Sequence, residues 1–190
     1  MESISRIGIS AIYHSNDLLT AATAPVAGDP TKGLTPAELK AFLADADTKT
    51  VPNVHQDTWN YDEAEDTTNF YTDQLTGEVY RGGTTAKGAK VITFTVGKFD
   101  FTNIADFKGG TAGADKYGAP STKQNIYKSV VALTEDGVYI VFPKAFIQAR
   151  DSTVDNAIGM LVTATAMVPD TAIEGFVQIR KSAVDAAVIG

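Results

Sequence analysis

The segment Val91-Ile92-Thr93-Phe94-Thr95-Val96 alternates with period two, placing Ile92, Phe94 and Val96 on one face of an extended strand and the threonines on the other. Similar alternation of Ile7, Ile9, Ala11 and Tyr13 predicts a first strand over residues 3–13. Residues 126–133 and 138–149 read as two strands around Thr134-Glu135-Asp136-Gly137, where Asp-Gly supplies the positive φ of a hairpin turn. Ile158–Val168 predicts another long strand, ended by Pro169, and Phe176–Arg180 a short last one.

Helical signals are few. Thr35-Pro36-Ala37-Glu38 has the spacing of a capping box with proline at the first helical position, so a short helix runs to about Asp45. Its apolar face, Leu39, Phe42, Leu43 and Ala46, is spaced to lie on a sheet. Phe99–Lys108 predicts a second short helix, stopped by Gly109-Gly110. Residues 14–33, rich in Ala, Thr, Pro and Gly, read as a loop or arm, and residues 109–125 as a long contact loop. After Val51 the chain breaks into short β-like pieces with no fixed register, the last being Val79-Tyr80-Arg81, which ends at Gly82-Gly83. The tail from Ala183 is apolar and wants a docking surface, its own domain or a neighbour, through Val184, Val188 and Ile189.

The chain has 190 residues, enough for one sizeable core and a single domain. Abundant Val, Ile, Thr, Gly and aromatics favour a mainly β fold. With no cysteine, disulfides, thiolate metal sites and cysteine nucleophiles are excluded. The opening residues lack the basic and apolar regions of a signal peptide, and no apolar run approaches a membrane span, so no membrane partner is expected.

The net charge of −7 argues against tight nucleic-acid binding, which requires Lys and Arg to replace phosphate counterions. Its distribution is more informative. Residues 1–77 carry 4 basic and 12 acidic side chains, whereas residues 78–190 carry 12 basic and 11 acidic ones. Asp57 to Asp73 contains six acids and no base, among them Asp62, Glu63, Glu65 and Asp66. Such a run is a solvated face, a surface facing a basic partner, or a site. The basic residues between Arg81 and Lys128 offer a partner within one chain or between chains.

Catalytic equipment is sparse. His14 and His55 match no zinc-site spacing. Gly83–Lys90 superficially resembles a phosphate loop, but Ala89 stands at the lysine position and a strand follows. The acidic cluster Asp62–Asp66 offers paired carboxylates or cation ligands, which leaves a hydrolase as a further alternative, while Asp45–Lys49 begins like a calcium loop but has Lys at the third ligand position and lacks the glycine. The expectation is therefore a non-enzyme with no catalytic residues, metal or cofactor. Exposed Trp59, Tyr61 and Tyr71 would suit the alternative of a carbohydrate-binding or adhesin-like module.

Several segments in fixed order resemble the major tail tube proteins of tailed bacteriophages. They are Asn69–Asp73 at the end of the acidic run, Lys90–Gly97, Phe101–Gly110, Tyr127–Thr134, Val138–Ala145 and Ala157–Pro169. The resemblance implies two packed antiparallel sheets in a sandwich or barrel with one or two short flanking helices. It also implies hexameric rings stacked into a hollow tube, made in the bacterial cytoplasm and carried in the virion tail. DNA would pass without specific binding, and sheath or tape-measure proteins would be further partners. Repulsion from an acidic lumen keeps DNA from sticking, a role that would fall to Asp62, Glu63, Glu65 and Asp66. The arms and the 109–125 loop, with Gly109, Gly110, Lys116, Tyr117 and Lys123, would bridge subunits. The tube of type VI secretion systems is a related alternative.

Overall fold

The computed structural model describes residues 6–189. It is mainly β, with a large antiparallel sheet and three short helices. The central hairpin joins β9 (Ile126–Leu133) to β10 (Val138–Val154) through Gly137 at φ +74°. On β9 and β10 both faces are covered. Val130, Ala132, Ile140 and Phe142 point into one core, and Val131, Leu133, Tyr139 and Val141 into another. Burial on both sides explains why these strands read as continuous apolar runs.

β10 links two layers. Its first part pairs with β12 (Val177–Arg180), and its second part pairs over Ala145–Val154 with β11 (Ala157–Ala166). The change comes where the register with β9 shifts between Phe142 and Ala145. Pro143, which has no N–H to donate, sits in that irregular stretch, and its carbonyl accepts from Ser129 Oγ at 2.7 Å. One layer holds β1 (Ala11–Ser15), β2 (Lys49–Thr50), β9, the start of β10 and β12. The other holds the end of β10, β11, β6 (Lys90–Val96) and β3 (Asn60–Glu63).

The layers share a core in which Ile92, Phe94 and Val96 of β6 and Met160, Val162 and Ala164 of β11 meet Ile12, Val130 and Phe142. Residues 51–58 bridge the open side: Val51 N donates to Ile12 O, His55 N donates to Thr95 O, and Val54 bridges Val96. The result is a folded-over, barrel-like sheet.

α1 (Pro36–Ala44) has the predicted capping box, with Glu38 N donating to Thr35 Oγ1 and Thr35 N to the Glu38 carboxylate. It covers the outer face of the first layer together with α3 (Lys181–Ala186), around Leu39 and Val184. α2 (Phe101–Lys108), capped by Asp100, drops Phe107 into the inter-layer core.

Several boundaries differ from the sequence reading: β10 runs on to Val154 instead of residue 149 and β11 spans Ala157–Ala166 instead of 158–168, the two joined by a tight turn at Asp155-Asn156, both at positive φ. The first strand begins at Ala11, because Gly8 sits at φ +61° and bends the segment before it; the part of that prediction at residues 3–5 lies outside the described residues. The arm at 14–33 is partly tied down: His14 and Ser15 belong to β1, Leu19 is buried, and Leu19 N donates to Ser129 Oγ at 2.7 Å.

Candidate interaction surface

Between β3 and β6 the chain leaves the barrel as a two-stranded ribbon, β4 (Thr67–Thr72) and β5 (Val79–Ala86). Every residue of both strands is exposed. β5 does not stop at Gly82-Gly83, as the glycines suggested, but runs through them. The ring of Phe70 lies over residue 82, where an added Cβ would stand 3.1 Å from it, so glycine there makes room for the aromatic. Across the next pair the Arg81 guanidinium sits 5.6 Å from the Tyr71 ring centroid. Phe70 is 67 % and Tyr80 68 % exposed, which sets the ribbon apart from ordinary surface.

The acidic run forms the ribbon's base. Asp62 and Glu63 lie on β3 opposite Val91 and Lys90, and Glu63 forms an ion pair with Lys90. Asp66 accepts from Gly88 N at 2.8 Å, while Ala64 N donates to Ala89 O at 2.9 Å. Gly88 passes so close to the Ala64 carbonyl that a Cβ would overlap it. Asp62 and Glu65 are exposed. Thus Glu63 and Asp66 anchor the ribbon, whereas Asp62 and Glu65 add charge to its root.

The 109–125 loop is folded on itself by a small hairpin, β7 (Thr111–Ala112) with β8 (Tyr117–Gly118). Gly109 and Gly110 both have positive φ, and a Cβ at Gly110 would meet Gly118 O at 2.3 Å. Tyr117 donates its hydroxyl to Gly109 O at 2.9 Å. These three residues shape the loop, while Lys116 and Lys123 are exposed. In the tail, Val184 is buried on its own domain, and Lys40 Nζ holds the Asp185 and Ala187 carbonyls at 2.9 and 2.7 Å. Val188 is exposed and Ile189 half exposed.

The two histidines are apart. His14 is buried with neither ring nitrogen hydrogen-bonded, 4.6 Å from the Phe107 ring centroid. Desolvation, reinforced by the neighbouring Lys128 charge, lowers its pKa to about 4. Lys128 is also buried, donates to Asn16 Oδ1, and has its pKa lowered by desolvation. His55 lies 3.6 Å from the exposed Asp155 carboxylate. Among the described residues, no three of His, Asp and Glu are grouped to hold a metal ion. The aromatics of the binding-module alternative are not gathered into one platform: Trp59 and Tyr61 pack against the core, Tyr61 stacking on Phe176 at 6.0 Å, and Tyr71 is out on the ribbon.

The sequence signals missed the ribbon because its strands carry neither a buried face nor a clean alternation. Its only local hint was Asn69-Phe70-Tyr71 facing Val79-Tyr80-Arg81 across a short polar turn. No family model matches the chain, and no curated protein matches it in sequence.

Proposed function

We propose that this protein is a structural subunit that associates with copies of itself, and that its assembly is a tube of stacked rings like a phage tail tube. The observation that carries self-association is the ribbon. An isolated two-stranded ribbon is marginal in water, and this one holds Phe70, Tyr71, Val79 and Tyr80 in the open. Covering it against another subunit removes that apolar surface from water and pairs its outer edges.

A second unpaired edge supports the same reading. β9 pairs with β10 only as far as Ile147, so Gln148–Val154 has β11 on one side and no strand on the other among the described residues. Joining such edges between subunits is the natural route to a closed ring. The hexameric ring, the DNA-conducting lumen and the virion location rest on the family resemblance. Within that reading, Asp62 and Glu65 are the better lumen candidates, since Glu63 and Asp66 already have structural partners.

Electron microscopy of the purified protein before and after concentration tests the proposal. Rings or tubes with a central hole are expected; strictly monomeric particles at the highest concentration would sink it. For the lumen, the D62N/E65Q variant is expected to assemble normally and to impair DNA passage in an assembled particle. Unimpaired passage removes these two acids from that role.

A further inference from the structure

Lys128 lies on β9 and is only 1 % exposed. A lysine this deep needs an acid beside it to stay charged. The partner of its Nζ is instead the neutral carboxamide of Asn16, whose Oδ1 stands 2.5 Å away although the two residues are 112 apart in sequence. Asp106, the acid that acts on Lys128 from α2, is already paired with Lys49 Nζ at 2.7 Å. Desolvation is the main influence on Lys128, and it favours the uncharged amine. A buried neutral amine held against a carboxamide is a nucleophile held against an electrophile.

The strands fix this meeting. β1 and β9 pair His14 with Val130 and Ser15 with Ser129, so the next step of the register brings Asn16 opposite Lys128. The chain around Asn16 is held as well: Asp17 N donates to Ser15 Oγ at 3.1 Å, and Leu19 N to Ser129 Oγ at 2.7 Å. A carbonyl bond is about 1.2 Å long, so an amine 2.5 Å from the oxygen lies roughly 3–3.5 Å from the carbon, the separation of a near-attack pair. Asn16 as a residue is exposed, which gives a leaving group a path to solvent. Phe107 covers the inner side, its ring centroid 5.8 Å from Lys128 Nζ and 4.6 Å from that of the His14 ring. Neither ring nitrogen of His14 has a hydrogen-bond partner, and the Lys128 charge is near enough to lower its pKa, so a neutral imidazole is at hand to carry a proton.

We infer that Lys128 and Asn16 join in an intramolecular isopeptide bond. The Nζ lone pair attacks Cγ of Asn16, and the Nζ–Cγ bond forms as the Cγ–Nδ2 bond breaks. One proton of Nζ passes by way of His14 to Nδ2, which leaves as ammonia. The carboxamide oxygen stays in place, and the step requires no oxidant or reductant. The structure holds the two reactants side by side before this reaction. The product ties β1 to β9 covalently in a chain that has no cysteine, and a closed loop of this length restrains the unfolded chain as a disulfide does. The bond forms within one copy and is independent of whether copies assemble.

Mass spectrometry of the purified full chain tests the bond. The intact mass is expected about 17 Da below that of the sequence, the ammonia lost. A tryptic digest should contain a branched peptide joining residues 16 and 128, with no cleavage after Lys128. Lys128→Arg and Asn16→Ala should each keep the full mass of their sequences. Asn16 is exposed, so its variant folds even where a buried arginine at 128 is not accommodated. His14→Phe should slow the reaction and leave unlinked chain in the sample. A native protein that keeps its full sequence mass and is cleaved after Lys128 overturns the proposal. An equal loss in Lys128→Arg overturns it in favour of a succinimide at Asn16-Asp17, which also releases ammonia. Complete linkage in His14→Phe overturns the part given to the histidine.

Discussion

The barrel and the ribbon are both antiparallel sheet, yet their strands solve different problems. β6 places Ile92, Phe94 and Val96 at 0–1 % exposure between two layers, so its stability comes from burial within one chain. β4 and β5 have comparable length and aromatic content but bury nothing comparable, and are held by their mutual pairing and the anchor at Ala64, Asp66 and Gly88. Hydrogen-bonded pairing alone does not make a stable sheet; an apolar face has to be covered. In the barrel the cover is intramolecular; the ribbon has none among the described residues, and in the proposed assembly a second copy supplies it.

The sharpest way to break this comparison is to shave one phenylalanine from each region. Phe94→Ala, in the core with its ring 6.2 Å from that of Phe107, should cost about 3–5 kcal/mol and be read as a large drop in melting temperature. Phe70→Ala belongs at the other end of the scale.

Acid probes the barrel interior next. The buried His14 stays neutral in the fold down to about pH 4, whereas an unfolded histidine takes up its proton near 6.5. Because the folded pKa is the lower one, stability is full above pH 6.5 and declines as pH falls toward 4. The loss from this group is about 3 kcal/mol. Chemical denaturation at a series of pH values should show this slope in the native protein. In His14→Phe it should be reduced, and an unchanged slope would assign the acid sensitivity to other groups.

Gly88→Val tests the ribbon's root. A side chain there collides with the Ala64 carbonyl, so the base of β4 and β5 should come apart at a local cost of about 1–3 kcal/mol. Hydrogen exchange is expected to accelerate in residues 67–86 and to stay slow in β9 and β10. Equal acceleration in both would mean that the ribbon and barrel unfold as one unit. Thr35→Ala removes the α1 cap and should cost about 1 kcal/mol, measured by denaturant titration.

The smallest stability effect belongs to Phe70→Ala, expected within about 0.5 kcal/mol of the native protein. Its assembly should nevertheless weaken when followed by sedimentation. A cost as large as that of Phe94→Ala would place Phe70 in the fold and remove the contrast between the two regions.

Elements whose information is local were legible in the residues. Strand β6 followed from the alternation of Val91 to Val96, α1 from the Thr35–Glu38 capping pair, and the central turn from Asp136-Gly137. Each rests on dihedral preference, side-chain period or a cap spanning at most a few residues. The strand boundary at Ala11 and the passage of β5 through Gly82-Gly83 were not legible. One follows a single bend at Gly8, and the other depends on a ring from the paired strand lying over a glycine.

The candidate surface divides in the same way. Sequence alone marked the acidic run and the long loop as unusual, because charge and glycine content are local properties. Only the tertiary structure separated Glu63 and Asp66, which fasten the ribbon through Lys90 and Gly88, from Asp62 and Glu65. It alone buried Val184 while leaving Val188 exposed. Partners distant along the chain are chosen by how the layers pack, and no short window of residues contains that choice.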